Sequence, residues 1–144
     1  MGSNHVFIDT NVIIDLIADR KPFNRFAIEL FKASELGRVK LYTSSHSIAT
    51  THYLLKKYIR EKELRKILIQ LFEYIDVIAV DADTLLKSLR SSHKDLEDAI
   101  QMQCAAQNRE ILCIVTRNIK DFQTCALPVF TPDEYCNRYL SFPR

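Results

Sequence analysis

Short apolar runs alternating with helix-spaced segments constrain the fold of this chain most tightly. The runs cover residues 6–8, 39–43, 77–80, 111–115 and 127–130. They read as strands that are apolar on both faces, and such strands need cover from both sides. Between them, apolar residues recur at spacings of three and four, as in Phe23, Phe26, Ala27, Leu30 and Phe31, or Leu64, Ile67, Leu68, Leu71 and Phe72. That period places one apolar stripe along a helix. Strands alternating with helices predict an α/β fold of three layers, α/β/α, around a mostly parallel sheet of about five strands.

The boundaries are marked by capping residues. Thr10 or Asn11, Ser44 or Ser45, Asp81 or Asp83, and Thr131 stand where N-caps belong. Pro22 and Pro132 suit first turns, and Gly37 suits a helix end. Helices are therefore expected over residues 12–19, 22–36, 45–58, 61–73, 83–89 and 95–108, with a last one from 132. No linker, repeat or low-complexity stretch interrupts the 144 residues, so the expectation is one domain over 1–144.

Composition removes several function classes. The chain has two glycines, Gly2 and Gly37. A dinucleotide fingerprint needs three close together, a P-loop needs a glycine-rich turn before lysine, and a nucleophile elbow needs two flanking a serine. None can be built. The net charge of +2 implies no general attraction to nucleic acid, so any basic surface must be local. Candidates for it are Arg20, Lys21, Lys56, Lys57, Arg60, Lys94, Arg117 and Lys120. Cys104, Cys113, Cys125 and Cys136 form no C-x-x-C pair and read as reduced thiols rather than zinc ligands. No secretory signal or membrane span is visible, and the expected location is the cytoplasm.

Polar residues cluster where the strands end. Asp9-Thr10-Asn11, Thr43-Ser44-Ser45 and Thr116-Arg117-Asn118 each follow an apolar run. In open parallel sheets the crevice beyond the carboxyl ends of the strands is where ligands bind. Asp9 reads either as a helix cap or as a metal ligand or nucleophile. Asp95, Glu97 and Asp98 sit in the first turn of a predicted helix, where the macrodipole alone favours acids. Asp95 and Asp98 share a face, and Asp98 edges the core side, where a carboxylate needs a partner or a cation. Asn118 and Asp121 follow the fourth strand as loop formers or as neighbours of Asp9. Carboxylates suit hard cations such as Mg²⁺ or Mn²⁺. The hydroxyl, guanidinium and amide of Thr116, Arg117 and Asn118 suit phosphate. None of His5, His46, His52 and His93 has ligand spacing to a cysteine or another histidine.

Three segments and an ending resemble the PIN domains, which include the VapC-type toxins of bacterial toxin–antitoxin pairs. Phe7-Ile8-Asp9-Thr10-Asn11-Val12-Ile13-Ile14-Asp15 is similar to the family's opening strand and helix. Asp95-Leu96-Glu97-Asp98-Ala99-Ile100-Gln101, continuing through Ala105-Ala106, resembles its central acidic helix. Ile114-Val115-Thr116-Arg117-Asn118 with Lys120-Asp121-Phe122 resembles its later strand and turn, and Pro128 to Glu134 its ending. Each motif is weak alone; in series they are specific. The resemblance implies a flavodoxin-like fold and an acidic pocket holding one or two ions of Mg²⁺ or Mn²⁺, which hydrolyses phosphodiester bonds in RNA. By position, Asp9 and Asp98 match family acids. The implied catalytic residues are Asp9, Asp98, Asn118 and Asp121; the implied metal ligands are Asp9, Asp98 and Asp95. Asn11, Thr116 and Thr50 are supporting residues, and Arg117 and Lys120 are expected to bind RNA phosphate. A cognate antitoxin and a homodimer are the implied partners.

One departure stands out. Many members carry glutamate early in the helix after the second strand, and here that stretch reads Ser47-Ile48-Ala49-Thr50-Thr51-His52 with Thr50 at the matching place. Asp95, Glu97 or Asp121 compensates for it, or metal binding is weak, or the activity has decayed. Three readings follow. The first is a metal-dependent endoribonuclease, restrained by a partner if it is a toxin. The second is a degenerate PIN module that binds RNA or protein without cutting. The third is a phosphotransferase of the haloacid-dehalogenase kind with Asp9 as nucleophile, against which Asn11 and the scarce glycines both count.

Overall fold

The computed structural model describes residues 4–140 of the chain. Five strands form one parallel sheet: β1 (Asn4–Ile8), β2 (Val39–Ser44), β3 (Ile75–Ile78), β4 (Cys113–Val115) and β5 (Val129–Phe130). Their order is β3-β2-β1-β4-β5. Between and after them run α1 (Thr10–Ile17), α2 (Asn24–Glu35), α3 (Ser45–Leu55), α4 (Glu61–Leu71), α5 (Ala82–Arg90), α6 (Leu96–Gln107) and α7 (Pro132–Tyr135). A 3₁₀ turn covers Ile119–Phe122, and a π-helical turn covers Cys136–Leu140.

Alternation along each strand divides the core in two. Val6, Ile8, Leu41 and Val115 face α1, α2 and α4, meeting Val12, Ile13, Leu30 and Leu64. Phe7, Tyr42 and Ile114 face the opposite way, onto Ile100, Cys104 and Ala105 of α6 and Phe122 of the 3₁₀ turn. The result is the expected three-layer α/β/α arrangement. Small residues on α6 let it lie close over β1 and β4, and α5 packs against α6 through Thr84, which donates to Gln107 at 2.9 Å.

The sheet order sets the site. From β1 the chain crosses to β2 on one side and reaches β4 on the other, so β1 lies at a topological switch point. β1 pairs with β4 as Val6↔Cys113, Phe7↔Ile114 and Ile8↔Val115, which brings the residues after each strand together. Asp9 N donates to Val115 O at 3.0 Å and continues this ladder by one step.

Several boundaries differ from the sequence reading. The third strand runs two residues earlier than 77–80, because Ile75 pairs with Leu41 and Ile78 with Ser44. Asp76 interrupts the apolar run, but β3 is an edge strand and Lys40 of β2 lies 3.2 Å from the Asp76 carboxylate. The first strand takes in the polar Asn4 and His5, whose partners are Val39 and Lys40. The second helix begins at Asn24, with Pro22 in the turn before it. The first helix begins at Thr10 and is capped by Asp9 itself, not by Thr10 or Asn11. Ser44, Asp81 and Thr131 cap their helices, the last in a full capping box with Glu134. Gly37 follows α2 with φ of +74°, a conformation that costs glycine little. Cys104, Cys113, Cys125 and Cys136 are free thiols. Among the described residues, no helix is long and apolar enough to cross a membrane.

Candidate active site

Asp9 follows β1 at the switch point of the sheet and is 7% exposed. Its Oδ1 accepts from Thr10 N at 2.7 Å and from Gln101 Nε2 at 3.3 Å, and its Oδ2 accepts from Thr116 Oγ1 at 2.7 Å. Burial pushes its carboxyl above the ordinary range, while the Thr116, Thr10 and Gln101 hydrogen bonds pull it back and the charge of Glu97 pushes it up again. Three donors for one buried carboxylate are more than a helix cap requires. The side chain is held in one orientation, and these hydrogen bonds oppose part of the rise that burial imposes.

Behind Asp9 lies a buried polar network that the sequence reading missed. Gln101 Nε2 donates to Thr10 Oγ1 at 3.0 Å and also to Ser47 Oγ, while its Oε1 accepts from Ser44 Oγ at 2.8 Å. Ser44 and Ser47 hydroxyls lie 3.1 Å apart, and Thr10 Oγ1 donates to Ser47 Oγ at 3.0 Å. These groups tie β1, α3 and α6 together at the level of the Asp9 carboxylate. The available signal was Gln101 itself, a full-length amide in a helix face otherwise made of Ala99, Ile100, Cys104 and Ala105.

Asp98 lies at the edge of the crevice in the first turn of α6. Burial pushes its carboxyl up to about 7, with Asp95, Asp9, Asp121 and Glu97 adding to the rise in that order. Burial and four neighbouring acids thus act on one carboxyl and disfavour its charged form. Asp95, Asp98 and Asp121 line one open groove of about 360 Å³ together with Lys94 and Lys120. Asp95 also caps α6 by accepting from Asp98 N at 3.0 Å, so it fills its ordinary structural role as well.

The remaining candidates divide. Asn11 Nδ2 donates to Thr116 Oγ1 at 3.5 Å, and its Oδ1 accepts from Arg117 N at 3.4 Å, so it braces the β4 turn against α1. Asn118 is exposed at the start of the 3₁₀ turn, and its N–H donates to Thr116 Oγ1 at 3.0 Å. Arg117 points elsewhere. Its Nε lies 2.6 Å from Asp15 Oδ2, its Nη2 donates to Asp15 Oδ1 at 3.2 Å, and its guanidinium lies 4.1 Å above the Phe23 ring. The geometry makes it a clamp between the β4 turn, α1 and the turn before α2. Thr50, on α3, donates to Glu97 Oε1 at 3.1 Å, and His46 Nε2 lies 3.3 Å from the same oxygen.

Residues 5–120 of the sequence match the PIN domain family. This chain belongs to the PIN domain family. The PIN chain is 28% identical over 143 residues to Ribonuclease VapC1 of Aquifex aeolicus (strain VF5), covering 96% of this chain and 98% of that protein. It superposes on a chain of a toxin–antitoxin complex from Klebsiella pneumoniae with a TM-score of 0.63 and 31% identity, covering 88% of this chain and 97% of the other. The same fold occurs in VapC20 of Mycobacterium tuberculosis, a Sarcin-Ricin loop cleaving toxin, at a TM-score of 0.59 and 18% identity over 76% of this PIN chain and 86% of that one.

The donor set can be tested against the ion the resemblance implies. The acids of the groove, Asp95, Asp98 and Asp121, offer carboxylate oxygen, which fits Mg²⁺ or Mn²⁺, while His93 beside them pairs through Nδ1 with Thr124 Oγ1 at 2.6 Å. Among the described residues, no three acidic, histidine or cysteine side chains converge as a ready cage.

Proposed function

We propose that this PIN domain is an Mg²⁺- or Mn²⁺-dependent endoribonuclease and the toxin of a toxin–antitoxin pair. The observation that carries the reading is the gathering of Asp95, Asp98 and Asp121 along one groove, where burial and the neighbouring acids push the Asp98 carboxyl up. The likeness to a ribonuclease along nearly its whole length supports the same chemistry. Asp9 and Asp98, with Asp95, would hold the ion. When bound, a divalent ion activates water and offsets charge on the phosphoryl oxygens.

The protein's own groups do the rest. Thr116, Thr10 and Gln101 hold the Asp9 carboxylate in one orientation and favour its ionised form. Asp121 lines the same groove, and Asn118 opens the turn that carries it. Lys94 and Lys120 stand on the groove rim, where they oppose the acids and meet the RNA backbone. Away from the site, an apolar groove of about 350 Å³ between α1, α2 and α4, lined by Leu16, Ile28, Phe31, Ile67 and Leu71, suits an apolar segment of an antitoxin. Exposed Leu85, Leu86 and Leu89 on α5 suit a homodimer. Four free thiols suit a cytoplasmic setting.

The test is cleavage of a structured RNA pool with and without Mg²⁺ or Mn²⁺. Asp9→Asn and Asp98→Asn should each lower the rate by more than about a hundredfold with the fold intact by circular dichroism, in keeping with loss of a positioned electrostatic group. Metal-dependent cleavage that persists in both variants would overturn the reading. Salt-sensitive RNA binding without cleavage would point to a noncatalytic module instead.

A further inference from the structure

We propose that the α3–α4 corner binds a single-stranded part of the RNA substrate, with Tyr53 and Tyr58 stacking on bases and Lys56, Lys57 and Arg60 meeting phosphates. The inference rests on the functional reading above and adds where the strand is held outside the acidic groove.

The corner concentrates positive charge. Between residues 53 and 66 stand Lys56, Lys57, Arg60, Lys62, Arg65 and Lys66 against two acids, Glu61 and Glu63, whereas the whole chain carries only +2. The rest of the chain is therefore net acidic, and a polyanion is drawn to this corner. Glu61 is already engaged: Arg65 Nε lies 2.5 Å and His52 Nε2 2.8 Å from its Oε2. Among the described residues, no carboxylate pairs with Lys56, Lys57 or Arg60, and all three are exposed. A solvated helix surface offsets its cations with acids one turn away, as Glu61 does for Arg65, but no acid occurs between residues 44 and 60.

Aromatic rings stand among these cations. Tyr53 is 65% and Tyr58 78% exposed, and neither belongs to a core layer. Lys56 Nζ lies 4.8 Å from the centre of the Tyr53 ring, and Lys57 Nζ 5.9 Å from that of Tyr58. Ring and cation side by side are what a single strand needs, since every base has a face to stack and every nucleotide a phosphate. A second copy docked on the same face would set lysine against lysine, which charge opposes.

One face of α3 joins the corner to the crevice. The helix starts directly after β2, and its 11 residues span about 16 Å. His46, Thr50 and Tyr53 recur at helical spacing and share a face, with Lys56 and Lys57 just past its end. At the crevice end Thr50 Oγ1 donates to Glu97 Oε1 at 3.1 Å, and Glu97 adjoins Asp98 in α6. A strand with one phosphate at the acids can continue along α3 to the tyrosines.

The experiment is anisotropy of a short fluorescein-labelled single-stranded RNA of mixed sequence, titrated with the full chain in EDTA, where no cleavage occurs. Tyr53→Ala and Tyr58→Ala should each weaken binding about tenfold and leave its salt dependence unchanged. Lys56→Gln, Lys57→Gln and Arg60→Gln combined should weaken it further. That variant should also lower the slope of log affinity against log salt by about two, the share of three phosphate contacts. Arg109→Gln, an exposed cation in the turn before β4, controls for loss of charge and should change neither. The wild type should prefer the single strand to a duplex of the same sequence, and the tyrosine variants should lose that preference. In the Mn²⁺-dependent cleavage assay the combined cation variant should raise KM far more than it lowers kcat. Unchanged RNA affinity in the tyrosine and cation variants, beside cleavage by the wild type, would overturn the inference and leave the ribonuclease reading standing. The expected losses of binding in a protein that cleaves no RNA would uphold the corner and overturn the ribonuclease reading. A change in sedimentation of the tyrosine variants with RNA affinity intact would overturn the inference in favour of contact between copies.

Discussion

Asp9 shows how one side chain combines two roles that the sequence alone presents as alternatives. It caps α1, accepting from Thr10 N, and its second oxygen is held by Thr116. Burial alone would favour the neutral acid, and each hydrogen bond to the carboxylate opposes that. Thr116 is the first-ranked of those opposing groups, so its removal should be felt most. Thr116→Val keeps the shape and deletes the donor. The Asp9 carboxyl should rise further, and the pH at which cleavage reaches half its maximum should move upward. At pH 7 the rate should fall, and raising the pH should restore part of it, as expected when the carboxyl ionises less readily. A pH–rate profile for the variant checks this; a uniform loss at every pH would assign Thr116 a purely structural role. Gln101 was hidden from the sequence for a related reason. Its importance comes from four partners, Asp9 and Thr10 at the start of α1, Ser44 of β2 and Ser47 of α3, and none of them lies near it in the chain.

At the level of elements, strands and helices were legible because apolar spacing reports burial directly. Every strand and helix expected from the pattern is present. What the pattern could not give was where each element stops. The start of β3 is hidden by Asp76, an acid admitted because β3 is at the sheet edge, and sequence does not reveal strand order. Arg117 illustrates the same limit at the site. A guanidinium in a polar turn beside acids reads as a phosphate ligand, yet Asp15 of α1 and Phe23 before α2 already engage it. Asp15 entered the sequence reading only as the end of the opening motif, but it is 1% exposed, and burial raises its carboxyl while Arg117 and then Arg20 pull it down. The pair joins three elements. Arg117→Met should leave Asp15 buried without its cation and destabilise the fold by about 3–5 kcal/mol. The double variant Arg117→Met with Asp15→Leu should recover much of that. Urea denaturation of both variants decides it. Stability within error of wild type for Arg117→Met would free Arg117 for the RNA contact the motif suggested.

For the molecule as a whole, the acidic crevice should make stability depend on pH and on metal together. The Asp98 carboxyl titrates at about 7 in the folded chain against an ordinary 3.8. Between those values the folded chain keeps a proton that the unfolded chain has released. Stability must then fall as pH rises through that window and level off above it. Asp9 and Asp15 are shifted in the same direction, whereas the surface acids Glu61 and Asp81 are shifted the opposite way, so only comparison with a variant isolates Asp98. In the absence of metal, Asp98→Asn should melt at a higher temperature than the wild type at pH 7.5 and at a similar temperature at pH 4. Mn²⁺ should reverse the order. An ion present at about 100 times its Kd stabilises the state that binds it by about 2.7 kcal/mol, and the Asn variant should gain little of this. The increment for wild type should grow from pH 5.5 to 7.5, since the ion competes with the Asp98 proton. Thermal melts of both proteins at pH 4, 5.5 and 7.5, with and without Mn²⁺, contain every term. Equal melting temperatures at pH 7.5 without metal would mean that the neighbouring acids do not burden Asp98. The crevice would then not store the repulsion that an ion is expected to relieve.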